Sequence, residues 1–211
     1  MSNPTSLGVL LASTVTIGFV HALAPDHWVP FVSIGRAQKW SKAKLVWVTL
    51  LAGIGHVGSS IVIGTIGLLL GFSLTHLESV ESQRAQVAGL LLIGFGLAYA
   101  IWGIKQVRHH HHHEIDPKRS VTLWTLFAVF VLGPCEPLIP LMFVGAAQGW
   151  MAVALVSALF GVVTLIMMIG QALLVYTGVG LVRFKRVEHY SHAIAGFVIS
   201  LTGGMVMLFG I

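Results

Sequence analysis

The chain carries six apolar runs that are each long enough to cross a lipid bilayer as a helix. A hydrocarbon core of ~30 Å needs about 20 apolar residues at a rise of ~1.5 Å per residue. The composition agrees, because 56% of the 211 residues are hydrophobic and only 9% are charged. An ordinary water-soluble domain is therefore excluded. The runs cover residues 7–34, 44–72, 85–104, 121–146, 151–181 and 189–211.

The last three runs repeat the pattern of the first three. An offset of 110 residues pairs Asp26 with Glu136 and Pro30 with Pro140, and an offset of 107 aligns the glycines of the third and sixth runs. Since each unit would cross the membrane three times, its copy must insert in the opposite direction. The sequence predicts an all-α integral membrane protein of six transmembrane helices in two inverted three-helix repeats, with prolines breaking the first and fourth helices. The predicted units are 1–105, a cytoplasmic loop 106–120, and 121–211.

Basic residues predict the orientation of these helices. All but one of the 12 Lys and Arg residues lie in the first, third and fifth loops, and Arg84 is the exception. Loops rich in Lys and Arg stay in the cytoplasm, so both termini are expected outside the inner or plasma membrane. No basic segment precedes the first apolar run, so no cleavable signal peptide is expected. The basic balance then reflects topology and not nucleic-acid binding.

Two histidines, an aspartate and a proline interrupt the first apolar run. A charged side chain at mid-membrane costs ~2.5 to 3.5 kcal/mol on insertion scales, so Asp26 is expected to face an ion, water or a polar partner. His21 and His27 would point about 240° apart on a continuous helix. A break at Pro25 would let both face one centre. Without such a break, His21 would support a metal-binding residue or relay protons instead of binding the ion itself.

Two more polar residues are expected at a similar depth in the membrane. His56 lies among glycines in the second run, and Glu136 lies among prolines in the fourth. Histidine nitrogen and carboxylate oxygen suit borderline divalent metals. A polar network that only closes the helix bundle is the alternative for the carboxylates, and a packing role is the alternative for His56. The candidate metal ligands are His21, Asp26, His27, His56 and Glu136.

The spacing of His21 from Asp26 and His27 resembles the His-x4-Asp-His signature of the nickel/cobalt transporter superfamily. This superfamily includes NicO-type efflux proteins and urease-accessory-type membrane proteins. The segment Gly55-His56-Val57-Gly58-Ser59-Ser60 resembles the Gly-His-x-x-Ser segment that these proteins carry in the next helix. The resemblance covers mainly the first third of the chain. It implies that Ni²⁺ or Co²⁺ is the transported substrate and that no cofactor is required.

A run of five histidines in the third loop resembles the histidine-rich loop of nickel/cobalt efflux proteins. Adjacent imidazoles bind divalent metal with modest selectivity, so the run is expected to capture metal on the cytoplasmic side. An inserted purification tag is the alternative. The residues are His109, His110, His111, His112 and His113.

Two sulfur-containing residues are secondary candidates. Cys135 is either a thiolate ligand or a small buried residue. Its Gly-Pro-Cys segment resembles that of thiol-transferring membrane domains of the cytochrome-c-biogenesis family, but those domains need a second cysteine and this chain has one. Met167 offers a thioether in the fifth run, although methionine in membrane helices mostly fills gaps.

These features predict a membrane transporter of divalent transition metal, acting in efflux, and not an enzyme. Metal binding needs neutral imidazole and ionised carboxylate, so it is expected to release protons. Two alternatives are an accessory membrane protein for metalloenzyme maturation and an exporter of a small anion or amino acid. The expected partners are the metal ion and the lipid bilayer, without nucleic acid, and a homo-oligomer is compatible with the sequence.

Overall fold

The computed structural model describes residues 4–108, 119–181 and 190–209, and the regular elements in these ranges are all helical. Four of these helices, α3, α4, α7 and α8 below, are long and apolar enough to cross a membrane. The chain is therefore an integral membrane protein of the all-α class. The helices are α1 (Pro4–Ala22), α2 (Val29–Ala37), α3 (Lys42–Leu70), α4 (Leu74–Arg108), α5 (Arg119–Leu132), α6 (Leu138–Ala146), α7 (Trp150–Leu181) and α8 (Ser191–Phe209).

The first apolar run is divided between α1 and α2. A single turn of 3-10 helix at Pro25–His27 joins the two. Pro25 has no amide hydrogen to donate to the preceding turn, so a regular helix cannot continue through it. Pro30 lies in the first turn of α2, where a missing N–H removes no helical hydrogen bond. The chain therefore changes direction between His21 and His27 without a long loop.

The fourth apolar run is likewise divided, between α5 and α6. Pro134 and Pro137 both lie in the linking segment 133–137 and cannot donate backbone hydrogen bonds. The turn is closed by the Leu138 N–H, which donates to Cys135 O at 2.9 Å. Cys135 and Glu136 are thus carried on irregular backbone between two short helices.

His56 lies on α3, and a capping residue defines each end of this helix. The Ser41 hydroxyl accepts a hydrogen bond from the Lys44 N–H at 3.2 Å and caps the start of α3. Gly71 ends the helix with a φ of 70°, a left-handed conformation that glycine adopts without a steric penalty. α3 packs against α7, and each also packs on one half of a divided segment, α3 on α5 and α7 on α1.

Among the described helices, α4 and α8 approach each other most closely, and glycines on both helices allow this approach. A Cβ atom at Gly96 would lie 2.6 Å from Gly196 O, and one at Gly203 would lie 2.8 Å from Gly89 O. Glycine has no Cβ and so lets the backbone of the other helix come this close, which is a common way for membrane helices to associate. The numbering increases along α4 as it decreases along α8 through these contacts, so the two helices are antiparallel.

The fourth helix is longer than the apolar pattern predicts. The sequence indicates an apolar run from residue 85, whereas α4 begins at Leu74. The difference comes from Glu81 and Arg84, whose charges make this part of the sequence look like a loop. In the structure the two side chains form an ion pair within α4, with only 2% of Glu81 and 13% of Arg84 exposed. Their mutual neutralisation lets the helix extend over two charged residues.

Candidate metal centre

The break between α1 and α2 brings two histidines of the first segment to one point. His21 lies in the last turn of α1, and His27 lies in the 3-10 turn after Pro25. Their Nε2 atoms are 3.1 Å apart, although a continuous helix would direct them to different faces. The short irregular segment therefore makes a common centre that helical periodicity would forbid.

Asp26 fixes the orientation of its neighbour His27. The Asp26 Oδ1 atom lies 2.9 Å from His27 Nδ1. An ionised carboxylate only accepts hydrogen bonds, so Nδ1 carries the hydrogen and donates it. In the neutral ring the lone pair is then on Nε2. Carboxylate–histidine pairs of this kind hold metal-binding imidazoles in position.

His56 reaches the same centre from α3. Its side chain is buried, with 4% of the residue exposed. Its Nδ1 donates to the backbone carbonyl of Phe130 at 3.3 Å, since a carbonyl can only accept. The Nε2 atom of the neutral ring is again the one with the lone pair, and it lies 3.2 Å from His27 Nε2.

Two nitrogen lone pairs therefore face each other at the centre of the cluster. With both rings neutral, no hydrogen lies between His27 Nε2 and His56 Nε2, so the contact becomes favourable with a cation between the two nitrogens, either a proton carried by one ring or a metal ion. The spacing of the Nε2 atoms fits a metal ion, because nitrogen ligands at ~2.0 to 2.1 Å from a tetrahedral ion are about 3.3 Å apart. The two measured distances from His27 Nε2, 3.1 Å to His21 and 3.2 Å to His56, are close to this value. The arrangement can bind a borderline divalent metal ion.

Cys135 lies at the edge of the histidine cluster. Its Sγ atom is 3.5 Å from His21 Nε2, and the residue has no exposed surface. The ligand atoms of His21, His56 and Cys135 all lie within 4.8 Å of one another. The α5–α6 break thus contributes to the same centre as the α1–α2 break.

A cavity of about 390 Å³ lies beside the histidines. Asp26 and Glu136 both line it, so the two carboxylates that the repeat pairs open onto one space. Glu136 is exposed, and among the described residues it is not within hydrogen-bonding distance of the three imidazole rings. Glu136 thus lines the cavity without contacting the rings, whereas Asp26 directly contacts His27.

Two residues that the sequence does not single out for the site hold the α5–α6 break in place. The Cys135 N–H donates to Glu81 Oε2 at 3.1 Å. Arg84 forms an ion pair with Glu81 and donates to the carbonyls of Val131 at 2.9 Å and Gly133 at 3.2 Å. The sequence does contain a signal for this ion pair, because Glu81 and Arg84 are spaced i, i+3 next to an apolar run. Their role depends on contacts with residues about 50 positions away, which the spacing does not reveal.

Gln171 has a related role at the first break. Its Nε2 donates to the carbonyl of Ala22 at 2.9 Å, and Ala22 is the last residue of α1. The final carbonyls of a helix have no partner within it, so a side-chain donor from α7 satisfies one of them in an apolar setting. The end of α1 next to His21 is thereby fixed.

The remaining sequence candidates lie away from this centre or outside the described part of the chain. Met167 is partly buried on α7 and does not line the cavity. Its neighbour Met168 is fully buried in the helix interior. The histidine run at residues 109–113 falls outside the described residues, as does most of the predicted loop 106–120.

Comparison with known proteins finds a distant relative. A candidate nickel/cobalt efflux system of Methanocaldococcus jannaschii is 29% identical over 136 residues. The match covers 63% of this chain and 59% of the relative, so the similarity extends over little more than half of that protein. No protein-family model matches the chain, and no solved structure matches it.

Proposed function

We propose that this protein transports divalent transition metal, nickel or cobalt, out of the cytoplasm through the centre formed by its histidines. The observation that carries the proposal is the contact between His27 Nε2 and His56 Nε2 at 3.2 Å, in which both rings donate from their other nitrogen to an oxygen. A cation removes the repulsion between the two lone pairs. The name of the M. jannaschii relative supports nickel and cobalt as the ions.

The residues have separate roles in this proposal. His21, His27 and His56 supply three imidazole nitrogens to the ion. Asp26 orients His27 and adds a negative charge close to the metal. Glu136 lines the cavity and attracts the cation before it reaches the rings. Because protons compete with metal for imidazole and carboxylate, passage of an ion would be linked to proton movement in the opposite direction.

The direction of transport follows from the predicted topology. The histidine run at 109–113 is placed in the cytoplasm by the positive-inside rule, on the side where an exporter collects its substrate. The metal is the cargo in this proposal, and no further cofactor is needed. Both termini would then lie outside the cytoplasm.

We also propose that the six crossings form two inverted repeats, 1–105 and 121–211. The glycine contacts of α4 and α8 support this, because the offset of 107 converts the contact of Gly89 with Gly203 into that of Gly196 with Gly96. One pair of helix contacts supports it too, since α1 packs on α7 as α5 packs on α3. The centre then lies where two divided segments meet, as in transporters with broken helices.

The experiment is metal flux in proteoliposomes with purified protein. Ni²⁺ or Co²⁺ should cross the membrane with the unaltered protein and should not cross with His27→Ala. The matched control is His76→Ala, because His76 is exposed at the start of α4 and far along the chain from the cluster. Sulfite, thiosulfate and amino acids are added as competitors. Flux of one of these anions or amino acids without metal flux would contradict the proposal.

A further inference from the structure

Cys135 lies where a thiolate would complete the coordination of an ion held by the three histidines. We propose that Cys135 is a metal ligand and that its sulfur makes the centre selective for thiophilic divalent ions, such as Ni²⁺, Co²⁺ and Zn²⁺, over Mn²⁺ and Mg²⁺. Softer ligands favour these metals, whereas Mn²⁺ and Mg²⁺ prefer oxygen. The inference deepens the proposed function and rests on it, because it concerns the same centre.

The distances support a sulfur ligand. In a tetrahedral site with metal–sulfur bonds of ~2.3 Å and metal–nitrogen bonds of ~2.0 to 2.1 Å, sulfur and nitrogen are about 3.5 Å apart. Cys135 Sγ lies 3.5 Å from His21 Nε2. The same thiol is fully buried among apolar residues, where it has no access to bulk water. His21, His56 and Cys135 have ligand atoms within 4.8 Å of one another, and His27 Nε2, which lies 3.1 Å from His21 and 3.2 Å from His56, would supply the fourth ligand.

The backbone around Cys135 is held in place from two sides. Its N–H donates to both Glu81 Oε2 and Ser60 Oγ, each at 3.1 Å. Arg84 binds the carbonyl of Gly133, two residues earlier in the chain, at 3.2 Å. A buried N–H at such a break needs an acceptor in any case, and because the acceptors here come from α3 and α4, they also fix where the thiol lies. The buried ion pair of Glu81 and Arg84 therefore acts as a positioning device for the thiol.

Charge balance is also consistent with a thiolate. Glu81 is neutralised by Arg84, so among the groups closest to the rings Asp26 supplies one negative charge. Loss of the proton from Cys135 supplies a second, and the two together neutralise a divalent ion in a site of low dielectric constant. In this step the S–H bond of the thiol breaks, a sulfur–metal bond forms, and the proton is released from the site as the ion binds.

The test is the absorption spectrum of the purified protein with Co²⁺. A thiolate bound to Co²⁺ gives a charge-transfer band in the near ultraviolet, and the chain has one cysteine, so the band is assigned without ambiguity. We expect the band in the unaltered protein and its complete loss in Cys135→Ser. Cys135→Ser should still bind Co²⁺ through its histidines, and His76→Ala should keep the band.

Metal selectivity gives a second readout. The ratio of Ni²⁺ affinity to Mn²⁺ affinity, measured by titration calorimetry, should fall at least about tenfold in Cys135→Ser, because an oxygen ligand replaces a soft one. Co²⁺ binding to the unaltered protein without a thiolate band would overturn this inference while leaving the proposed function intact. Absence of any Co²⁺ or Ni²⁺ binding would overturn both. The spectrum of the unaltered protein decides the matter even if Cys135→Ser fails to fold.

Discussion

His27 Nε2 and His56 Nε2 lie 3.2 Å apart, and each ring donates from its other nitrogen to an oxygen, His27 to the adjacent Asp26 and His56 to Phe130. Asp26 holds one ring, and the carbonyl of Phe130 in α5 holds the other. The two imidazoles are therefore set in position before any ion arrives, which lowers the cost of ordering them on binding. His56 on α3 contacts both divided segments, through His27 and through the carbonyl of Phe130, so a change in either break would alter the geometry of the proposed ion site.

Replacing Asp26 by Asn should weaken metal binding by ~10 to 100-fold, the usual cost of losing an outer partner of a metal-bound histidine. Asparagine keeps the shape and can still accept from His27 Nδ1, but the negative charge is removed. Affinity for Ni²⁺ is measured by calorimetry and transport by flux into proteoliposomes. Glu78→Gln on the exposed side of α4 removes the same charge elsewhere and serves as the control. An unchanged affinity in Asp26→Asn would favour a purely structural role for the carboxylate.

Replacing Glu136 by Gln should abolish or strongly reduce transport with a smaller loss of affinity than Asp26→Asn. Glu136 lines the cavity but does not contact the rings, so its charge assists the approach of the cation more than its binding. Glu136→Gln should lower the flux most at low ionic strength, because salt at higher ionic strength screens the attraction between the carboxylate and the cation. If Glu136→Gln instead weakens binding more than Asp26→Asn, Glu136 is a direct ligand.

Arg84→Ala should destabilise the protein by ~3 to 5 kcal/mol, because it leaves the Glu81 carboxylate buried without a counter-charge. Glu81 is 2% exposed, so water cannot replace the lost partner. The double variant Glu81→Gln/Arg84→Met removes both charges and should recover part of the loss. Unfolding in detergent is followed by tryptophan fluorescence. If Arg84→Ala is as stable as the unaltered protein, the ion pair contributes little to stability.

The sequence is informative about the centre where its signal is local. His21, Asp26 and His27 lie within seven residues, and a charged group in an apolar run already demands a partner. The apolar runs likewise predict an all-α membrane protein, which the four spanning helices confirm at that level. The placement of the two helices on either side of Pro25 is not local information, since α1 packs mainly on α7 and α2 mainly on α8.

The contacts that Glu81 and Arg84 make near Cys135 could not be predicted from the sequence either, because they too join residues that are far apart in the chain. Two charges beside an apolar run look like the end of a membrane segment, and hydropathy places the helix start after them. The structure pairs them with each other and with the backbone near Cys135, and these contacts remove the cost of burial. Whether a charge ends a helix or lies buried within it depends on a partner distant in sequence.

Gly96→Ala should lower the thermal stability, whereas Gly94→Ala should not. A Cβ at Gly96 would lie 2.6 Å from Gly196 O, so α4 and α8 would have to separate. A Cβ at Gly94, on the same helix, meets nothing within 4 Å. Overpacking costs ~1 to 3 kcal/mol or more, and the shift should appear in thermal unfolding in detergent. Equal effects of the two substitutions would mean that the helices do not need this close contact.

Replacing His109 through His113 by Ser should weaken the response to low metal on the cytoplasmic face while leaving the maximal rate of transport measurable. Adjacent imidazoles bind divalent ions with modest selectivity, so the loss of the run is expected to change capture and not the transport step. His27→Ala and His56→Ala should instead remove flux at every metal concentration, because each deletes a nitrogen from the centre itself. Flux from oriented vesicles is measured as metal is titrated on the cytoplasmic side, with His76→Ala as the control. If the loop variant loses all flux at saturating metal while His27→Ala and His56→Ala remain active, the transport site is in the loop and the role assigned to the buried histidines is wrong.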